Sequence, residues 1–292
     1  MRWRALPRQV GECLLLPAMA ASLPWGLAWP LLRRSASCRS LFAGETARAQ
    51  AMAARASFAG DPDAWAVGHR LTRIVDQVDP ALSLSRGDRW MRAHLEVDGD
   101  PLPPGACILA GFHYGAAFWS LRWLRSRGHP VSFLSRPIVA EEFPGEPLRF
   151  AFERWRMRQA ARAGGAPVIY VGDSKRKIRE ALRAGTSVLG MVDVPVSDSP
   201  SRVAVPFMGG EAWFPDGLLR IAESEDVPVV AYVARLDPGT GRRRLTLTRL
   251  PIGGEDPMRS LAAMLERAIR RDPPAWHLWA EWPLFFRNPA SH

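Results

Sequence analysis

The spacing of apolar side chains changes character near residue 95. Ahead of it the pattern is helical: an alanine-rich stretch over 36–59, a stop at Gly60-Asp61-Pro62, and a stripe of Trp65, Leu71, Ile74, Val75 and Val78 that ends at Asp79-Pro80. Beyond it, short continuous apolar runs alternate with helical patterns. The runs predict strands at 107–110, 131–134, 168–171, 187–191, 203–207, 227–233 and 244–250, with helices at 116–126, 147–163, 174–184 and 216–225. Continuous apolar strands separated by helices read as an α/β fold, a mostly parallel central sheet flanked by helices. Helix over 257–271, and again from 274, closes the chain. No repeat or linker divides it, so a helical front over 1–92 and an α/β unit over 93–292 are expected to form one structural unit.

One stretch stands apart from this alternation. Residues 13–32 are twenty side chains without a charge, long enough on paper to cross a bilayer. Pro17, Pro24 and Pro30 each remove a backbone donor and bend a helix, which is poor for a lone span. Arg2, Arg4 and Arg8 on one side and Arg33, Arg34 and Arg39 on the other leave no preferred orientation. A bent, membrane-associating helical segment lying along the surface, with Trp25 and Trp29 at headgroup level, fits these facts better; a buried helical hairpin is one alternative, and a signal peptide cleaved at Ala18-Met19-Ala20 is another, which Glu12 and a very short apolar run disfavour.

Charge adds a direction. The chain carries 39 Lys plus Arg against 29 Asp plus Glu, a formal +10, and Lys175 and Lys177 are its only lysines. Arginine's planar fork suits phosphate and carboxylate, so anionic partners are expected. Twelve tryptophans tilt that choice towards a phospholipid surface and away from nucleic acid, for which no motif is present. At 47% hydrophobic residues the chain is no disordered polycation. Cys13, Cys38 and Cys107 have no metal-ligand spacing, and no glycine loop would cradle a phosphate, so neither metal nor organic cofactor is expected. Two further stripes follow helical spacing: Arg176, Arg179 and Arg183, suited to headgroups or an acidic carrier, and Trp276, Trp279 and Trp282 near the end.

Among the six histidines, His113 is distinguished by position. It follows the apolar run CILAG and precedes the 116–126 helix, at the strand end where open α/β sheets bind ligands. A helix N-terminus there favours the neutral imidazole that a general base requires. Gly111, Gly115, Ala116 and Ala117 leave room for a substrate.

Three blocks carry a resemblance: GFHYGAAFWSLRWLRSRGHPVSFLSRP, then GTSVLGMVDVP, then VAVPFMGGEAWFPDGLLRIAESEDVPVVAYVARLDPGTGRRRL. In order and spacing, and with the Leu-Pro-Trp front and the tryptophan-rich end, the chain resembles the bacterial lysophospholipid acyltransferases of the lipid A late-acyltransferase type over nearly its whole length. The family signature, His followed after four residues by Asp or Glu, falls on His113 and on position 118, which here is Phe118. Three explanations stay open: a carboxylate from another loop, Asp193 first and Glu141 or Glu142 after it; a histidine working alone on a more acidic acceptor; or lost chemistry on a kept fold.

What the resemblance implies is a membrane-associated acyltransferase of lipid biosynthesis at the cytoplasmic face of the inner membrane. It would move a fatty acyl group from an acyl carrier protein or CoA thioester to a hydroxyl of a lipid or other amphipathic acceptor. His113 would be the general base and Asp193 the substitute acid. Arg136 would bind an anionic group, and Gly115, Phe118, Phe207, Gly209 and Gly217 would border the substrate. The alternative is a catalytically silent protein of this fold that binds lipid or acyl chains.

Overall fold

The computed structural model describes residues 6–196, 201–251 and 256–286; Arg2, Arg4 and His292 lie outside them. The chain begins as a broken rod. Helix α1 (Leu6–Val10) passes through a π-helical turn (Gly11–Leu15) into α2 (Leu16–Ser22), the chain extends at Leu23-Pro24, and α3 (Trp25–Ser35) follows. Next come α4 (Ala43–Arg55) and the long α5 (Pro62–Ser85). Asp61 opens α5: its carboxylate accepts from the backbone N–H groups of Asp63 and Ala64 at 2.9 and 3.1 Å. The helix does not stop at Asp79-Pro80. It runs on through a buried Pro80 because Val78 and Leu82 are sealed in the core and Asp79 is ion-paired to buried Arg243, which outweighs one lost backbone bond.

Short α6 (Asp88–His94) leads into β1 (Leu95–Gly99) and β2 (Ile108–Gly111). The α/β alternation then runs α7 (Phe118–Ser126), β3 (Val131–Ser135), α8 (Pro147–Gly164), β4 (Ile169–Tyr170), α9 (Ser174–Arg183) and β5 (Ser187–Met191). After it come β6 (Arg202–Phe207), β7 (Gly210–Pro215), α10 (Gly217–Ser224), β8 (Val229–Leu236), β9 (Arg243–Arg249) and α11 (Pro257–Arg271). The main sheet has seven strands in the order β1-β9-β8-β2-β5-β3-β4. The run from β8 to β4 is parallel; β9 turns back against β8, and β1 lies parallel to β9 at the edge.

Two expected elements differ. The 203–207 run is not in the main sheet but forms an antiparallel hairpin with β7, closed by Met208 and Gly209, both at positive φ. Pro206 has no N–H to give a central strand, which suits a two-stranded ribbon. The region from 274 is not one helix either. Two 3-10 turns (Pro273–Ala275 and Trp279–Phe286) flank an extended Trp276, as Pro273, Pro274 and Pro283 dictate, and Trp276 and Trp279 are sealed in the core.

The front helices are amphipathic. Leu16, Ala20, Trp29 and Leu32 join Ile74, Val78, Leu109 and Val230 in one apolar cluster beneath the sheet, each large side chain contributing about 1.5–3 kcal/mol on burial. Trp25 and Trp29 do not point outward. Their indole N–H groups donate to the backbone oxygens of Thr240 and Gly239 at 3.3 and 3.1 Å, in the turn between β8 and β9. The outer face is leucine instead, at Leu14, Leu15, Leu27 and Leu31. Among the described residues, no helix is long and apolar enough to cross a membrane. The arginine stripe of α9 is matched by acids: Arg176 binds Asp173 and Glu180, and Arg179 and Arg183 share Glu225.

Candidate active site

Strands β2 and β5 are parallel neighbours in register, Ile108 beside Val188 and Gly111 beside Met191. Continuing that register two residues past both strand ends places His113 opposite Asp193. The side chains meet: His113 Nδ1 lies 3.0 Å from Asp193 Oδ1, and the His113 backbone N–H donates to both carboxylate oxygens at 2.9 Å. Trp276 Nε1–H donates to Oδ2 at 3.0 Å. The His113 side chain keeps 37% of its surface exposed, whereas Asp193 keeps none. A dry acid thus holds Nδ1–H of a half-buried base and leaves Nε2 as the nitrogen free to accept a proton. Burial opposes the imidazolium, but the charge and hydrogen bond of Asp193 outweigh it and raise the His113 pKa above the ordinary histidine value. The helix N-terminus expected to keep the ring neutral is overridden by that nearer charge.

The loop that carries His113 is clamped. Gly115 sits at φ +65°, and a Cβ there would stand 2.1 Å from the Ala234 carbonyl oxygen, so only glycine fits. Its N–H donates to Ala275 O at 2.8 Å and the His277 N–H donates to His113 O at 2.8 Å, an antiparallel bridge between this loop and the C-terminal segment. His277 Nε2–H then donates to Gly115 O at 2.7 Å.

His113 opens on a cavity of about 530 Å³. Helix faces build its walls. His69, Arg73 and Asp76 follow one face of α5, Glu45 and Arg48 come from α4, and Arg149, Glu153, Arg156 and Met157 from α8. One sector is apolar, with Phe118, Leu121, Phe133, Leu189 and Met191; the other is an ion-pair network. Arg73 binds Glu45 Oε2 at 2.9 Å and donates to His277 Nδ1 at 3.0 Å, Arg149 pairs with the same Glu45, and Arg156 binds Asp76 at 2.7 Å. Burial would raise the Glu45 pKa, but Arg73 and Arg149 hold it down to about 2. Burial pushes His69 down to about 3 and His277 down to about 4, so both stay neutral. Among the described residues, no group of His, Cys, Asp and Glu is placed to hold a metal ion.

Of the residues singled out from sequence, His113, Asp193, Gly115 and Phe118 come together; Phe118 opens α7 and supplies apolar wall to the cavity. The others do not. Arg136 is exposed, off the cavity and ion-paired to Glu142. Phe207 packs among Phe214, Trp276 and Phe285, Gly209 turns the β6–β7 hairpin, and Gly217 begins α10 beside Ser201. Pattern reading missed Trp276, His277 and the α5 face. The adjacent Trp-His pair was a signal, and so was the polar spacing of four and three at His69, Arg73 and Asp76. Comparison with protein-family models and with curated proteins finds no match for this chain.

Proposed function

We propose that the chain is an acyltransferase of the lysophospholipid-acyltransferase kind. It takes a fatty acyl group from an acyl carrier protein or CoA thioester to a hydroxyl of a lipid or other amphipathic acceptor, at a bacterial inner membrane. The observation that carries this reading is the His113–Asp193 pair at the mouth of a cavity that is apolar on one side and polar on the other.

The chemistry follows from the geometry. His113 Nε2 takes the proton of the acceptor hydroxyl while Asp193 steadies the imidazolium through Nδ1–H. The oxygen attacks the thioester carbonyl, a C–O bond forms and the C–S bond breaks. The imidazolium proton leaves with the thiolate as thiol. The apolar sector of Phe118, Leu121, Phe133, Leu189 and Met191 suits an acyl chain. A carboxylate within reach of His113 favours this reading over the catalytically silent one. The outward leucines of the front helices suit attachment to a bilayer surface without a span.

The test is acyl transfer from long-chain acyl carrier protein and acyl-CoA into a bacterial lipid extract, followed by mass spectrometry. New acylated lipid is expected with the parent, and a loss of about a thousandfold or more with folded His113→Ala. Equal acylation by parent and variant sinks the proposal.

A further inference from the structure

We propose that His277 is the positioning residue of the base: it holds the loop that carries His113, as its neighbour Trp276 holds Asp193, so that one dipeptide near the end of the chain aligns both halves of the pair. It rests on the acyltransferase reading only in calling His113 the base. The register of β2 with β5 brings the two side chains to one height but does not orient them. Orientation comes from the C-terminal segment. The His277 backbone N–H donates to His113 O at 2.8 Å and its Nε2–H donates to Gly115 O at 2.7 Å, one bond on either side of Tyr114. Trp276 is extended, at φ −83° and ψ 122°, so the side chains of the dipeptide part. That of Trp276 reaches Asp193 Oδ2 with its indole N–H at 3.0 Å.

The His277 tautomer is set from outside the loop. Arg73 Nη1 donates to Nδ1 at 3.0 Å, and a guanidinium is a donor at every working pH, so Nδ1 accepts and the ring hydrogen sits on Nε2, facing Gly115. Arg73 is itself held by Glu45 Oε2 at 2.9 Å. Burial pushes the His277 pKa down to about 4, so the ring stays neutral and Nδ1 keeps its lone pair for Arg73. Both ring nitrogens are therefore engaged, one on α5 and one on the loop. Packing alone would not require this: a phenylalanine fills the same space and makes neither bond.

The gain is in the base. His113 Nε2 must stand within hydrogen-bond reach of an acceptor hydroxyl, and misplacement by about 1 Å costs on the order of a hundredfold in rate. A loop fixed at the His113 and Gly115 oxygens cannot swing Nε2 aside without breaking a bond to His277. The same hold keeps His113 Nδ1 on Asp193, whose side chain is fully buried.

The test reads the His113 ring by NMR of the isotope-labelled full chain and needs no acyl donor. The His113 Nδ1–H resonance, identified by its absence from His113→Ala, is expected to be resolved in the parent and slow to exchange with water. His277→Phe should speed that exchange at least about tenfold, and His277→Gln, whose amide carries a donor to the Nε2 position, should return it to within about threefold of the parent. In the transfer assay His277→Phe should lower kcat about a hundredfold with KM within about threefold, because the base is misplaced and the cavity is not. The proposal is overturned by a parent whose Nδ1–H is unprotected, by a folded His277→Phe that exchanges or turns over like the parent, or by a His277→Gln no better than His277→Phe. If His277→Phe does not fold, His277→Asn, whose amide stops short of Gly115, takes its place in the same comparison. A parent that transfers no acyl group would sink the acyltransferase reading alone, and the exchange measurement would still decide this one.

Discussion

Among the described residues, Asp193 receives hydrogen bonds only from groups that stay donors at every working pH: the His113 backbone N–H, the Trp276 indole and, in the neutral base, Nδ1–H. An amide in its place would set an NH2 group against one of those donors and would no longer fix the His113 tautomer. Asp193→Asn is therefore expected to lower kcat by about a thousandfold to ten-thousandfold while leaving the fold intact. The pH profile separates this role from a structural one. The proposed transfer requires neutral His113, so its rate should rise with pH through the His113 pKa, which Asp193 holds above its ordinary value. Without the carboxylate that pKa falls, and the acid limb of the rate profile should move to lower pH. A residual rate with an unmoved limb would show that Asp193 does not tune the base.

At the scale of elements, the decisive feature is the register of β2 with β5, which carries His113 and Asp193 to the same height from positions eighty residues apart. This much was legible: the apolar runs before GFHYG and VDVP mark the two strands, and His113 and Asp193 each follow closely on a strand end; the equal offset of two residues comes only with the strand ends at Gly111 and Met191. What was not legible is what tertiary packing decides. Pattern ends α5 at Pro80, yet burial of Val78 and Leu82 carries it on to Ser85. Arg136 has the same local context as a ligand-binding arginine, but the chain beyond β3 turns it to Glu142. The walls from α4, α5 and α8 depend on how three helices cross, which no local periodicity encodes. The clamp on the His113 loop offers an element-level test. Gly115→Ala adds a methyl against the Ala234 carbonyl at a left-handed φ, and should cost about 2–4 kcal/mol in denaturant unfolding. Its effect on transfer should exceed that of an equally destabilising core change such as Leu124→Ala, which lies off the cavity, because the loop must shift to admit the methyl.

For the whole molecule, the formal +10 does not concentrate in the cavity, whose walls balance, but lies on outer surfaces. Arg154, Arg158 and Arg162 recur every four residues on the exposed side of α8, and Arg33 and Arg34 end α3; none has a carboxylate partner among the described residues. The π-helical turn beside α8 and the outer side of α3 both carry exposed apolar side chains: Leu15 is 62% and Leu27 61% exposed, and Leu14 and Leu31 are exposed as well. Unmatched arginine with protruding leucine is the composition of an interfacial surface, in which leucine inserts and arginine meets anionic headgroups. Leu15→Glu combined with Leu31→Glu touches nothing in the core, so stability should be unchanged. Co-sedimentation with vesicles containing anionic phospholipid should fall at least about tenfold, since each inserted leucine contributes of order 1.5–3 kcal/mol. Raising the salt should weaken the parent only in part, because the leucine contribution is not screened while the arginine contribution is. Loss of all binding at high salt would make any attachment purely electrostatic, and undiminished sedimentation of the double variant would rule out the front helices as the proposed membrane-facing surface.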